Sequence, residues 1–191
     1  MEQRTEMSFT DYITETFFEP LQLNNTYGVV LGTDQRMRDP FLESYLTVLE
    51  NGTPESFNTW ESNMSGFVAD GNIVSTPADI SRWIESLMTG QVGISAANID
   101  LMKEMLPGDA GNERYGLRLT FDEGLGYGHD GFQLSYLSRL RYNPDTKTTV
   151  LVVATFVYIP DTDQPQPGPE FLELAYGLRD MGIRGAQIVN R

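Results

Sequence analysis

The sequence has no cysteine, which excludes a disulfide framework, a thiolate nucleophile and a zinc ribbon together. It has one histidine, His129, too few for most metal centres, and no carboxylate spacing singles out a glycosidase or a metal site. No metal or other cofactor is expected. Lysine is nearly absent: only Lys103 and Lys147 occur, and the positions three before them are Asp100 and Pro144, not serine. Basic residues number 13 against 27 acidic ones, for a net charge of -14. Nothing in that balance could neutralise a row of phosphates, so nucleic acid is not an expected partner. No apolar run reaches the roughly eighteen residues of a membrane-spanning helix. The opening residues MEQRTEMSFTDY lack the apolar stretch of a secretory signal, and localisation stays open.

What is present describes a globular chain. Forty per cent of its 191 residues are apolar, enough for one domain with a core. Ser8 opens a first helix whose Tyr12, Ile13, Phe17 and Phe18 share a face, and Pro20 stops it. Thr76, Pro77 and Asp79 spell the start of a second helix over residues 76–89. Ile80, Trp83, Ile84, Leu87 and Met88 form its apolar stripe, with Trp83 and Leu87 expected to be buried. A third helix is predicted from Ser95 to Leu106 and a fourth after Pro169. Three strands are predicted between them: Tyr115 to Phe121, Leu134 to Tyr142 ending at an Asn143-Pro144-Asp145 turn, and Thr148 to Tyr158. The last is apolar almost throughout, as a strand buried on both faces reads. Residues 30–70 read as long irregular connections. This order of helices and strands predicts an α+β fold, an antiparallel sheet flanked by helices.

The segment best suited to chemistry is Gly128-His129-Asp130-Gly131. Glycines on both sides of a histidine imply a backbone that passes close to something or bends where other residues cannot. The segment also runs straight into a strand, which would present His129 beside a sheet edge. A single histidine is still more often structural than catalytic, so the motif needs company.

Company comes from order along the chain. Glu19-Pro20-Leu21-Gln22-Leu23 with Thr26, then Gly71 to Gly90 with Ser75-Thr76 and Asp79, then Tyr127 to Thr155 with the glycine-flanked histidine, resemble successive segments of one family. That family is the class C β-lactamase-like serine hydrolases, which include D-Ala-D-Ala carboxypeptidases, D-aminopeptidases and esterases. The resemblance implies a β-lactamase/transpeptidase-like fold, and a site made from three motifs. The third, a Lys/His-x-Gly strand, maps onto His129, Asp130 and Gly131, and Phe132 would offer its backbone N–H to an oxyanion. His129, Gly131 and Phe132 are thus the expected catalytic residues, and Gly128, Asp130 and Gln133 the expected substrate-binding ones. Members usually carry a glycine near Ser135, where this chain reads Phe132-Gln133-Leu134-Ser135.

The first two motifs are not here. No serine is followed by lysine at the third position, and no tyrosine by asparagine at the second; Ser56-Phe57-Asn58 fits a looser pattern at the wrong place in the order. The resemblance therefore implies a single partial domain over residues 1–191, lacking the N-terminal segment with Ser-x-x-Lys and Tyr-x-Asn. The expected function is the C-terminal portion of a serine hydrolase acting through an acyl-enzyme on a small-molecule or peptide amide, ester or β-lactam, silent by itself. The alternatives are a non-catalytic binding or assembly module on the same fold, or an unrelated α+β binding domain. The strand over 148–157 has no proline or charge to guard an edge, so a missing N-terminal half or a second copy is expected to cover it.

Overall fold

A computed structural model of the chain describes residues 2–33, 37–50, 53–106 and 113–159, with Gly177, Asp180 and Met181. Of the region after Pro169, where a helix is expected, only Gly177, Asp180 and Met181 are described, and they are helical; the Pro107-Gly108 break lies outside the described residues. Two compact units emerge: one holds the chain to Ile80, Gly131–Leu137 and the segment from Val153, and the other holds Ser81–Asp130 and Ser138–Val152.

In the first unit, α1 (Glu2–Thr5) leads to α2 (Phe9–Ile13), which continues as a π-helical turn, Thr14–Phe18. The Ser8 cap forms as expected: its hydroxyl oxygen accepts from the Asp11 N–H at 3.1 Å. Ile13 and Phe18 are buried. This helix packs on a two-stranded ladder of β1 (Tyr27–Gly28) and β4 (Ile73–Val74), where Thr10 donates to the Val29 carbonyl at 3.1 Å. Asn72, 0% exposed, ties the same carbonyl from the other side at 2.8 Å.

Residues 30–70 are not irregular throughout. They contain a hairpin of β2 (Tyr45–Glu50) and β3 (Thr53–Asn58), which precedes a 3-10 turn at Met64–Phe67. The hairpin is short, and β3 is exposed along its whole length, so it lacks the alternation by which sequence reading finds strands. β10 (Phe156–Ile159) pairs in parallel with β2, so the long apolar run splits at Thr155 between two sheets.

The α3 helix (Pro77–Met88) starts where Thr76 receives the Asp79 N–H, at 3.3 Å. Ile84, Leu87 and Met88 are buried on its stripe; Trp83 is half-buried, a correction to the expectation. The Asp79 side chain does more than favour the first turn. It is 4% exposed, and its Oδ2 accepts from the Asn25 N–H at 2.7 Å and the Thr26 hydroxyl at 3.0 Å. Thr26 also meets the Ser75 hydroxyl at 2.7 Å. The helix entry is thereby tied to the chain that follows Leu23. α4 (Ala96–Lys103) ends three residues short of Leu106, and of its expected stripe only Ile99 is buried; Leu101 and Leu106 are exposed.

A five-stranded sheet runs in the order β5 (Glu113–Tyr115), β6 (Thr120–Asp122), β7 (Gly126–Gln133), β8 (Tyr136–Asn143), β9 (Thr148–Ala154). The single strand expected over 115–121 is two short ones, because Arg118 takes a left-handed φ of 59° between them. Polar side chains set the turns. The Asp122 carboxylate accepts from the Gly124 and Leu125 N–H groups, and Asn143 Oδ1 accepts from Asp145 and Thr146. β9 is the last strand of this sheet, with no ladder partner on its outer side among the described residues. Its Val150 and Val152 are buried, but Val153 is 44% exposed, so it is not covered on both faces.

Candidate active-site strand

The expected site residues all lie on β7, the middle strand of the five. The Gly-His-Asp-Gly segment does not precede this strand; it lies within it. Both glycines before the histidine are demanded by β8. A Cβ on Gly126 would lie 2.2 Å from the Tyr142 carbonyl oxygen, and one on Gly128 would lie 1.8 Å from that of Leu140. Gly128 is buried, so its observed role is close packing of two backbones.

The ladder with β6 ends at Gly128, opposite Thr120, while β7 continues to Gln133. Residues 129–133 therefore extend beyond β6. His129, Gly131 and Phe132 are exposed there, Phe132 by 54%. Gln133 is half-buried, with its side-chain amide against Gly71: a Cβ at that glycine would meet Gln133 Oε1 at 2.6 Å.

His129 is held at both ring nitrogens. Nδ1 lies against the backbone carbonyl of Asp130, and Nε2 is 3.0 Å from the Tyr115 hydroxyl, with the two rings edge to face at 5.7 Å. A carbonyl oxygen only accepts, so the neutral ring carries its hydrogen on Nδ1, and the tyrosine donates to Nε2. The Asp130 side chain turns to β8, where Arg141 Nη1 binds it at 2.8 Å and Arg139 Nη2 binds the other oxygen. The arginine side chains are 0% and 13% exposed and the carboxylate 40%, so Asp130 balances guanidinium charge inside the sheet. These contacts leave the Asp130 carboxylate directed at β8.

The tip after β7 holds a non-glycine residue in a backbone conformation that favours glycine. Leu134 takes a φ of 55°, the left-handed conformation that glycine adopts without strain. Ser135, 0% exposed, anchors the tip by accepting from the Thr59 hydroxyl at 2.9 Å, and Thr59 in turn pairs with Ser44.

Sequence reading did not find Tyr115, Arg139 and Arg141. Arg139 and Arg141 carried a usable signal: residues two apart on a strand share a face, and these follow the Asp130 strand directly. Tyr115 carried none, because its contact with His129 depends on how β5 is placed.

Comparison with known proteins bears on the family and the fold. A beta-lactamase family model matches residues 1–168. A D-stereospecific amidohydrolase from Streptomyces is similar in structure with a TM-score of 0.74 and 20% identity, over 92% of this chain and 50% of its own. The D-amino acid amidase of Ochrobactrum anthropi SV3, complexed with L-phenylalanine amide, gives 0.68 and 18%, over 99% and 53%. An octameric penicillin-binding protein homologue from Pyrococcus abyssi gives 0.65 and 22%, over 93% and 39%. The chain thus spans about half the length, or less, of these solved structures. Comparison with curated proteins found no match.

Proposed function

The chain belongs to the β-lactamase family, and from that premise we propose that it is the C-terminal portion of a serine hydrolase whose nucleophile lies on another segment. The observation that carries the proposal is the extension of β7 beyond β6, with His129, Gly131 and Phe132 exposed on it, in a chain without Ser-x-x-Lys. An extended substrate can lie along residues 129–133 and pair with their backbone.

The reaction begins when the serine Oγ, relieved of its proton by a base on its own segment, attacks an amide or ester carbonyl. A C–O bond forms, and the carbonyl oxygen takes the negative charge. The Phe132 N–H donates to that oxygen, and His129, with the Tyr115 hydroxyl bound at its Nε2, lines the substrate beside it. The C–N or C–O bond to the leaving group then breaks as the leaving group takes the proton. Water, giving a proton to the same base, then attacks the acyl carbonyl; the acyl–Oγ bond breaks, Oγ takes the proton back and the carboxylic acid leaves. Gly131 keeps the strand free of a side chain at the substrate edge, and Asp130, bound by two arginines, fixes the direction of the strand. Gly128 and Gln133 shape the edge from either end.

The segment that brings the serine also has a place to dock. Among the described residues, the outer side of β9 has no ladder partner and offers one row of backbone groups along apolar residues, the kind of edge folded proteins keep covered. A strand from the missing half fits it better than the polar residues Met1 to Met7. Amide exchange along Thr148–Ala154 is expected to slow when that segment is added.

The test is co-expression with the segment encoded upstream, assayed on D-phenylalanine p-nitroanilide and on a p-nitrophenyl ester. Hydrolysis that falls at least about a hundredfold in His129→Ala supports the reading, on the scale of losing one electrostatic contact to the reacting group. Hydrolysis unchanged by that substitution, or no upstream Ser-x-x-Lys, removes it. The absence of a Ser-x-x-Lys from this sequence favours one other reading, a non-catalytic binding module on the same fold.

A further inference from the structure

The three-stranded sheet carries a surface that the hydrolase reading leaves unused, and what it binds is independent of that reading. β10 and β3 flank β2, and the register sets Phe156, Tyr45 and Asn58 side by side on one face. The pairing of β2 with β3 runs on past Tyr45: the Thr59 N–H donates to the Ser44 carbonyl at 2.9 Å, and the Ser44 and Thr59 hydroxyls meet. Alternation then returns Glu43 and Trp60 to the face of Tyr45 and Asn58. The contacts agree with that placement. The Tyr45 hydroxyl donates to Glu43 Oε2 at 2.6 Å. Glu43 raises the Tyr45 phenol above its ordinary value of 10.0, and the Trp60 indole opposes it. The Phe41 ring backs Trp60, with 5.4 Å between centroids. Tyr45 is 40% exposed and Phe156 56%, and Glu43 is exposed beside them.

This face has little to offer but negative charge. Aromatic rings present negative faces, and Glu43 adds a carboxylate. The donors are committed: the Tyr45 hydroxyl to Glu43, the Asn58 amide to Glu61 at 3.4 Å, and Trp60 Nε1 is buried. A saccharide, which needs donors as well as acceptors, finds few of the first. Among the described residues no lysine or arginine pairs with Glu43; Arg38, the nearest along the chain, lies over the Tyr27 ring at 4.2 Å. The complement is an organic cation. A primary ammonium is strongly hydrated and gains little from an exposed carboxylate. A quaternary ammonium is drawn to the rings as well as to the charge. The net charge of -14 sets the chain against anionic membrane surfaces, which favours a soluble carrier of that group. We propose that Glu43, Tyr45, Trp60 and Phe156 form a binding site for the quaternary ammonium group of a soluble small molecule.

The chain has two tryptophans, Trp60 on this face and Trp83 on α3, so tryptophan fluorescence reads the site. Titrated at constant ionic strength, choline should give a saturable change. The neutral alcohol of the same shape, 3,3-dimethylbutan-1-ol, has carbon in place of the charged nitrogen and should need about ten times the concentration. Glu43→Gln keeps an acceptor for Tyr45 and loses the charge. It should weaken choline about fivefold, the upper end for an exposed ion pair, and leave the alcohol unchanged. Trp60→Phe should abolish the signal. No saturable change with choline, equal binding of the alcohol, or a choline response unaltered by Glu43→Gln or by Trp60→Phe would overturn the proposal. So would retention on phosphatidylcholine vesicles without any response to soluble choline. The comparison of choline with the alcohol uses the wild-type chain, so it decides the matter even where a variant fails to fold.

Discussion

Replacing Asp130 by alanine separates its part in the fold from its part in the site. The carboxylate binds Arg141 and Arg139, and Arg141 has no solvent to turn to. Breaking a fully buried ion pair from one side costs about 3–5 kcal/mol, because the other charge is left inside. Two features reduce that figure. Asp130 itself is 40% exposed, so it gives up less solvation in the native state than a buried carboxylate. Arg141 also donates to the Leu140 carbonyl at 2.8 Å and keeps that bond in the variant. A loss of about 2 kcal/mol results, roughly 4–8 °C in Tm for a chain of this size. Urea unfolding followed by tryptophan fluorescence would measure it, with Asp130→Asn expected to lose about half as much, since it keeps one acceptor. Pairing Asp130→Ala with Arg141→Met should cost less than the sum of the two, because both changes remove the same contact. A loss below about 0.5 kcal/mol, the range of ordinary surface changes, would refute the reasoning and return Asp130 to the class of exposed substrate contacts.

At the entry to α3, Asp79→Ala should cost about 3 kcal/mol, because it strips acceptors from Asn25 and Thr26 inside the protein. Thr76→Ala, which loses only a cap, should cost about 1 kcal/mol; equal losses in urea unfolding would show that the tertiary tie is idle. Gly128→Ala should cost about 3 kcal/mol, since its new methyl meets the Leu140 backbone, which cannot rotate away; a chain of unchanged stability would contradict the close β7–β8 approach. Burial, and then the Glu85 charge, raise the Tyr142 phenol above its ordinary value of 10.0. The fold favours the neutral phenol, so this contribution is complete below about pH 10 and is lost as pH rises through the raised value. A phenolate absorbance titration in which every tyrosine ionises as free tyrosine does would dismiss it.

The sequence made some of this legible because local chemistry decided it. Ser8, Thr76 and Ser95 cap helices where side-chain oxygens and helical spacing say they should, and Asn143 turns the chain as expected. The glycine-flanked histidine could be singled out because two backbones that touch leave no room for a Cβ. What stayed hidden depended on distant partners. Asp79 looks like an ordinary first-turn carboxylate until Asn25 and Thr26 are brought to it, and the β2–β3 hairpin lies in a segment too polar to show a strand period. The 148–158 run reads as one buried strand, but its ends belong to different sheets, a division that composition does not encode.

The central claim is that this chain carries one side of a serine hydrolase site and none of its nucleophile. Intact-mass spectrometry after treatment with a fluorophosphonate probe tests it most directly, on the 191-residue chain alone and together with the upstream segment. The account predicts no adduct on this chain in either sample, and one probe-sized increment on the upstream segment in the second. A stoichiometric adduct on this chain alone would contradict it, and would place the nucleophile on one of its own serines.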